Sequence, residues 1–382
     1  MSTGNHLDAL EDFRDFALAQ GLVRAIAQAM PEAEDVRLME FCGGHTHALA
    51  RHGLEDLLPA RLQLIHGPGC PVCVLPIGRV DQAIALAQQP GVTVCTYGDV
   101  LRVPASDRLS LRKAQALGAQ VRMVTSPLQA LQWAREHPDR EVVFLAIGFE
   151  TTTPPTAVAL LQAQAEGLPN FSVLCHHVLT PAAMHAILSG PRPARIDGFI
   201  GPGHVSTVIG SAAYDSVARQ HRKPVVIAGF EPLDMLQAIW MLLRQRAEGR
   251  HQVENAFTRA VTTQGNTKAQ ALMQQVFALR EAFEWRGLGT LAHSALRLNE
   301  AFAAFDAERR FGLAYQAVPD HKACECAAIV RGEKRPQACR IFGTGCTPDQ
   351  PIGACMVSPE GACAAHYQYG RWRDEPTTAT RS

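Results

Sequence analysis

The chain has 382 residues, 47% of them hydrophobic and 19% charged, enough apolar material for two or three compact domains. Lys plus Arg and Asp plus Glu both number 36, so the net charge is zero and no basic face is offered to nucleic acid. The segment Met1 to Ala19 lacks the basic-then-apolar order of a signal peptide, and no run of about 18 apolar residues follows. The expected location is therefore the cytoplasm.

Eight short apolar, β-branched runs read as buried parallel strands: Val36 to Phe41, Leu62 to His66, Val92 to Tyr97, Val121 to Val124, Val142 to Ile147, Phe171 to Cys175, Ile196 to Ile200 and Val225 to Ala228. Helical spacing lies between them, at Ile77 to Gln89, Pro127 to His137, Pro155 to Glu166 and Pro181 to Leu188, with proline opening several of these segments. Alternation of strand and helix predicts an α/β fold. Two Rossmann-like parallel-sheet domains flanking a cleft are expected, with a small C-terminal iron–sulfur domain.

The expected organisation is an N-terminal helical segment over 1–31, a first α/β domain over 32–125 and a second over 126–315 that carries a helical extension. A cysteine-rich module over 316–372 and a disordered tail over 373–382 complete it. Within the second domain, Pro232 to Ala307 reads as mainly helical, interrupted at Thr262 to Asn266 and Gly287 to Thr290.

The strands run out into polar, glycine-rich turns. These are Phe41 to His47, Gly67 to Cys73, Tyr97 to Asp99, Gly148 to Thr153, Cys175 to His177, Gly201 to His204 and Gly229 to Glu231. In open α/β sheets ligands bind beyond the carboxyl ends of the strands, so the turns should converge on one cleft. The plainer alternative is that glycine and proline only make tight connections. None of the turns carries a phosphate-binding fingerprint.

Cys42 follows a strand and precedes a helix, with His45 and His47 nearby, a setting that favours the thiolate, a nucleophile and soft metal ligand. Cys70 and Cys73 form a C-P-V-C pair, the spacing of reversible dithiols and of paired metal ligands. Against these stand an inert buried Cys42 and a structural zinc half-site at the pair. Cys95 and Cys175 lie inside apolar strands and read as core residues. The eleven cysteines, an odd number, suit metal or redox chemistry better than a secreted disulfide framework. Six of them, Cys324, Cys326, Cys339, Cys346, Cys355 and Cys363, fall within forty residues. That exceeds the four thiolates of a [4Fe-4S] cluster, and the absence of C-x-x-C knuckles argues against a zinc module.

Phe41 to His47, Gly67 to Cys73, the run Gly201 to Gly210 and the cysteine-rich tail resemble the HypD family of hydrogenase maturation factors, over about residues 32 to 370. The resemblance implies a scaffold with redox activity rather than a turnover enzyme. It would build the iron unit of [NiFe]-hydrogenase, iron carrying cyanide and carbon monoxide ligands, with a HypC-type chaperone and a HypE-type cyanide donor. It further implies that Cys42 holds the iron, assisted by His45, Cys70 and Cys73, with Glu150 and His204 near the cleft as proton relays or partner contacts. For those last two the alternative is that they serve only their own turns. The family's likeness to ferredoxin-thioredoxin reductase implies a cluster on Cys324, Cys339, Cys346 and Cys363, with Cys326 and Cys355 as a redox disulfide. Two rival functions are a stand-alone iron–sulfur disulfide reductase and a zinc-stabilised adaptor.

Overall fold

The computed structural model describes residues 12–190 and 194–370. The tail expected to be disordered and the first eleven residues of the N-terminal segment lie outside them. All eight expected strands form: β1 (Val36–Glu40), β2 (Leu62–His66), β3 (Val92–Thr96), β4 (Val121–Met123), β5 (Glu141–Gly148), β6 (Phe171–His177), β7 (Gly198–Gly201) and β8 (Val225–Ile227). A short β9 (Val253–Asn255) joins them. They make two parallel sheets, one of order β2-β1-β7-β8-β9 and one of order β4-β3-β5-β6.

The allocation of strands differs from the expected split near Thr125. β3 and β4 pair with β5 and β6, so that break falls inside the second sheet, and β7 to β9 return to the first. The chain crosses between sheets after β2 and again after β6. Sheet membership depends on pairing between distant segments, such as Leu38 with Gly198, and local composition carries no trace of it. The mixture of parallel sheets with covering helices is nevertheless the expected α/β class.

The stretch after Pro232 is less helical than expected. Helices cover Pro232–Ala247 and Thr267–Val276, but the remainder contains two antiparallel pairs. β10 (Phe277–Leu279) pairs with β13 (Leu296–Leu298), and β11 (Ala282–Trp285) pairs with β12 (Gly289–Ala292). Gly287 and Gly289 take positive φ, a conformation that suits a reversal and costs glycine nothing. Phe283 and Trp285 alternate inward from β11 into the same apolar cluster as Phe41 and Phe149.

The N-terminal helix Phe16–Ala29 is capped by Asp15, whose carboxylate accepts from the Leu18 amide, and lies against the helix Pro232–Ala247. Among the described residues no helix is long and apolar enough to cross a membrane.

Candidate functional site

All five strands of the first sheet run parallel, so their carboxyl ends share one edge. The chain steps from β1 outward to β2 on one side, while β7, β8 and β9 extend the other way. The order therefore reverses between β1 and β7, a topological switch point of the kind that opens a ligand crevice. Cys42 sits just past β1 at that point, and the turns after β2, β7 and β8 lie beside it.

Cys42 is the residue before the helix Gly43–His52 and is buried. Its amide donates to Glu40 Oε2 at 2.9 Å, and the Gly43 amide donates to the Gly69 carbonyl at 3.1 Å. The turn after β2 presses on this backbone so closely that a Cβ on Gly69 would stand 2.6 Å from the Cys42 Cα. Glycine at 69 is thus a packing requirement, and it brings Cys70 alongside Cys42.

The thiol does not have the depressed pKa that the helix start suggested. Burial pushes it up to about 12, the charges of Glu360 and Glu40 add to that, and the amides of Gly44 and His45 offset only part. Without a cation the thiol stays protonated at neutral pH, and a soft metal would supply the charge that turns it into a ligand.

His45 is fully buried. Its Nε2 lies 3.1 Å from the Ala228 carbonyl, which can only accept, so Nε2 carries the proton and Nδ1 is left with a lone pair. Among the described residues no group lies within hydrogen-bond distance of that Nδ1. Burial lowers the pKa of this ring, which keeps it neutral. The Phe230 ring lies 5.0 Å from His45 and is stacked against His204 at 3.9 Å, so the turns after β7 and β8 close over the same place.

Glu150 and His204 differ in their use. Both oxygens of Glu150 accept from Thr180, from its amide and its hydroxyl at 2.9 Å each, so this carboxyl caps the helix Thr180–Ser189. Burial raises its pKa to about 7. His204 is exposed, and its ring stacks on Phe230. Cys175 to His177, expected as a turn, is instead the end of β6: Cys175 is core, His177 bonds Thr156 Oγ1 at 3.0 Å, and His176 packs near Phe283. Cys95 is likewise core, its thiol pushed up to about 12 by burial.

Cys73 hydrogen-bonds Cys70, and burial followed by that bond holds its thiol well above the ordinary value. Its sulfur lies 4.0 Å from the Ala354 carbonyl and would stand 3.1 Å from a Cβ on Gly361. The C-terminal module is therefore packed directly on this dithiol. In that module Cys326 and Cys355 form a disulfide, 29 residues apart, while Cys324, Cys339, Cys346 and Cys363 are free. The four free thiols line one pocket with the disulfide and with Ile329, Ile341, Phe342 and Met356. Burial raises the Cys363 pKa far above normal, and the charges of Cys346, Cys324 and Cys339 raise it further. Burial also pushes Cys324 up to about 11. The Ile352 amide donates to the Cys346 sulfur at 3.3 Å.

Sequence reasoning missed Glu40, Glu360 and Tyr214. Glu40 is fully buried at the end of β1, accepting from Cys42, from Thr46 and from His66 Nδ1 at 3.0 Å. Glu360 crosses the start of the Gly43–His52 helix. Asp99, in the turn after β3, accepts from Ser358 at 2.7 Å, which ties the second sheet to the Glu360 turn. Tyr214 packs with Phe41, Phe149 and Val205. A lone acid within an otherwise apolar strand end, Met39-Glu40-Phe41, was the available signal for Glu40.

Comparison with known proteins adds to this geometry. A family model described as "HypD: Hydrogenase formation hypA family" matches residues 17–370. A hydrogenase maturation factor HypD of Azotobacter vinelandii is 62% identical over 97% of the chain and 99% of the relative's own length. The HypD of Cupriavidus necator is 57% identical over 97% of the chain and 99% of its own length. The HypD of Escherichia coli is 46% identical over 89% of the chain and 91% of its own length.

Proposed function

The chain belongs to the HypD family of hydrogenase maturation factors, and from that premise we propose that it is the cytoplasmic scaffold on which the iron unit of [NiFe]-hydrogenase is assembled, with electrons supplied from its own C-terminal module. The iron, carrying cyanide and carbon monoxide, is cargo. Cys42 is its thiolate anchor, and His45, through the unpartnered Nδ1, is the second group turned to it. The observation that carries this reading is the placement of Cys42 at the switch point, beside a neutral imidazole whose lone pair has no partner among the described residues. A HypC-type chaperone and a HypE-type cyanide donor are the partners this role requires.

A [4Fe-4S] cluster fits the four thiols Cys324, Cys339, Cys346 and Cys363: the set is all sulfur, it is enclosed by apolar side chains, and an amide hydrogen bond already reaches one sulfur. When bound there, such a cluster supplies single electrons. The Cys326–Cys355 disulfide beside those thiols takes up two electrons and two protons to become a dithiol. Thiol exchange then returns it to the disulfide while a Cys70–Cys73 disulfide is opened to two thiols. Cys73 lies against Ala354, next to Cys355, which suits that exchange.

The test is an anaerobic infrared and visible spectrum of the protein purified together with a HypC-type partner. Bands of bound cyanide and carbon monoxide, lost in Cys42→Ala while iron–sulfur absorption persists, are expected. Iron–sulfur absorption without those bands in the unaltered protein indicates a stand-alone disulfide reductase, and absence of both indicates a zinc adaptor.

A further inference from the structure

On the far side of Glu40 from Cys42, two imidazoles and a carboxylate meet. His66 ends β2, Glu55 lies in the turn after the Gly43–His52 helix, and His366 stands near the end of the cysteine-rich module, three residues past its last cysteine, Cys363. One ligand atom from each lies within 4.8 Å of the other two. His66 Nε2 is 2.8 Å from His366 Nε2 and 3.8 Å from Glu55 Oε1. Four-coordinate zinc, at about 2.0–2.2 Å from each ligand, sets its ligands roughly 3.3 Å apart, a spacing that these separations bracket.

We propose that Glu55, His66 and His366 bind one divalent first-row transition-metal ion, zinc or iron(II), as a site separate from the Cys42 crevice and from the pocket of the four free thiols. The donor set of two imidazoles and one carboxylate is common to both ions.

The surroundings are those of a built site. His66 Nδ1 donates to the buried Glu40 carboxylate at 3.0 Å, which leaves the Nε2 lone pair directed at His366 and Glu55. A carboxylate behind a ligating histidine orients the ring and raises its basicity. The Gln337 side-chain nitrogen is placed 2.9 Å from His366 Nδ1, and a half-turn of that amide, whose two ends have the same shape, presents its carbonyl instead. With the Gln337 carbonyl turned toward it, Nδ1 carries the proton and Nε2 becomes the ligand. Glu40 and Glu55 together balance a divalent charge. The cluster lines a pocket whose other walls include Arg37, Lys334 and Arg335, so the remaining coordination position faces basic groups suited to water, hydroxide or a small anion. Because Glu55 and His66 come from the first sheet's segment and His366 from the chain's end, the ion would also fasten the C-terminal segment to the first sheet.

The probe is Zn²⁺ added to the full-length protein, purified anaerobically, in a background carrying Cys42→Ser, Cys70→Ser and Cys73→Ser so that free thiols outside the module do not compete. One equivalent retained through gel filtration is expected, with nitrogen and oxygen neighbours alone in its X-ray absorption spectrum. Glu55→Gln and His366→Gln should weaken retention by at least the roughly 10- to 100-fold typical of losing an outer-sphere partner. Glu55 is partly exposed, so its variant decides the matter if His366→Gln fails to fold. Retention unchanged in Glu55→Gln, sulfur among the zinc neighbours, or no stoichiometric retention overturns the site.

Discussion

Glu150 shows how a residue inside a candidate cleft can be occupied by the fold. Its two oxygens serve Thr180, and its burial raises the pKa from the ordinary 4.5 to about 7. The folded protein therefore holds this proton more tightly than the unfolded chain does. The stability that follows is fully present below about pH 4.5 and is lost as pH rises through about 7, when the buried carboxyl ionises. The span corresponds to an upper bound on the order of 3 kcal/mol. Glu150→Gln keeps an acceptor for the Thr180 amide and a donor for its hydroxyl, but has no proton to lose. Urea unfolding at pH 5.5 and pH 8.5 is expected to show wild type losing stability between the two while the variant changes less. Equal pH dependence in both proteins would assign the titration elsewhere.

At the scale of elements, the crevice depends on two loops sharing a space that admits no side chain. A methyl group on Gly69 would meet the Cys42 Cα at 2.6 Å and the Phe41 carbonyl carbon at 2.6 Å, both backbone atoms that cannot swing aside. Gly69→Ala is expected to cost about 1–3 kcal/mol, the usual penalty of overpacking, and to move Cys42 relative to His45. Reduced retention of the iron unit, in a protein that still folds by circular dichroism, is the expected readout; unaltered retention would show that the loop can yield. Position 69 was legible in the sequence only as a turn glycine, and its contact with Cys42 was not. The eight strands were legible because each is a local apolar run bounded by turn residues. β10 to β13 were not, since three or four residues with partial burial, such as Phe277–Leu279, carry too little periodicity to separate strand from helix. Cys42, Cys70 and Cys73 stood out because thiols in glycine turns are chemically unusual. Glu40 was marked only as a lone acid in an apolar strand end, and Glu360 acquires its meaning from the distant start of the Gly43–His52 helix, which no local pattern reports.

For the whole molecule, the chain's order in space makes a path from its last module to its first turn. Arg102 donates to the Val357 carbonyl at 2.7 Å and to the Pro348 carbonyl at 3.3 Å, and Ser358 donates to Asp99, so the module is seated on the second sheet's side as well as on the dithiol of the first. The Cys326–Cys355 disulfide shares a pocket with the four free thiols, and Ala354, next to Cys355, touches Cys73. Replacing both members, Cys326→Ser with Cys355→Ser, leaves those four thiols in place and removes the disulfide proposed to pass electron pairs to Cys70 and Cys73. The double variant is expected to keep iron–sulfur absorption, and to lose roughly 3 kcal/mol of stability from opening the loop between the two residues. Its measurement must therefore be made well below the melting temperature. Starting from protein oxidised at Cys70–Cys73, addition of a one-electron reductant followed by alkylation and mass analysis should show those two thiols restored in wild type and still oxidised in the variant. Restoration at the wild-type rate would mean that electrons reach Cys70 and Cys73 without the disulfide. In that case the packing of Cys326–Cys355 against the dithiol serves only to hold the module in place.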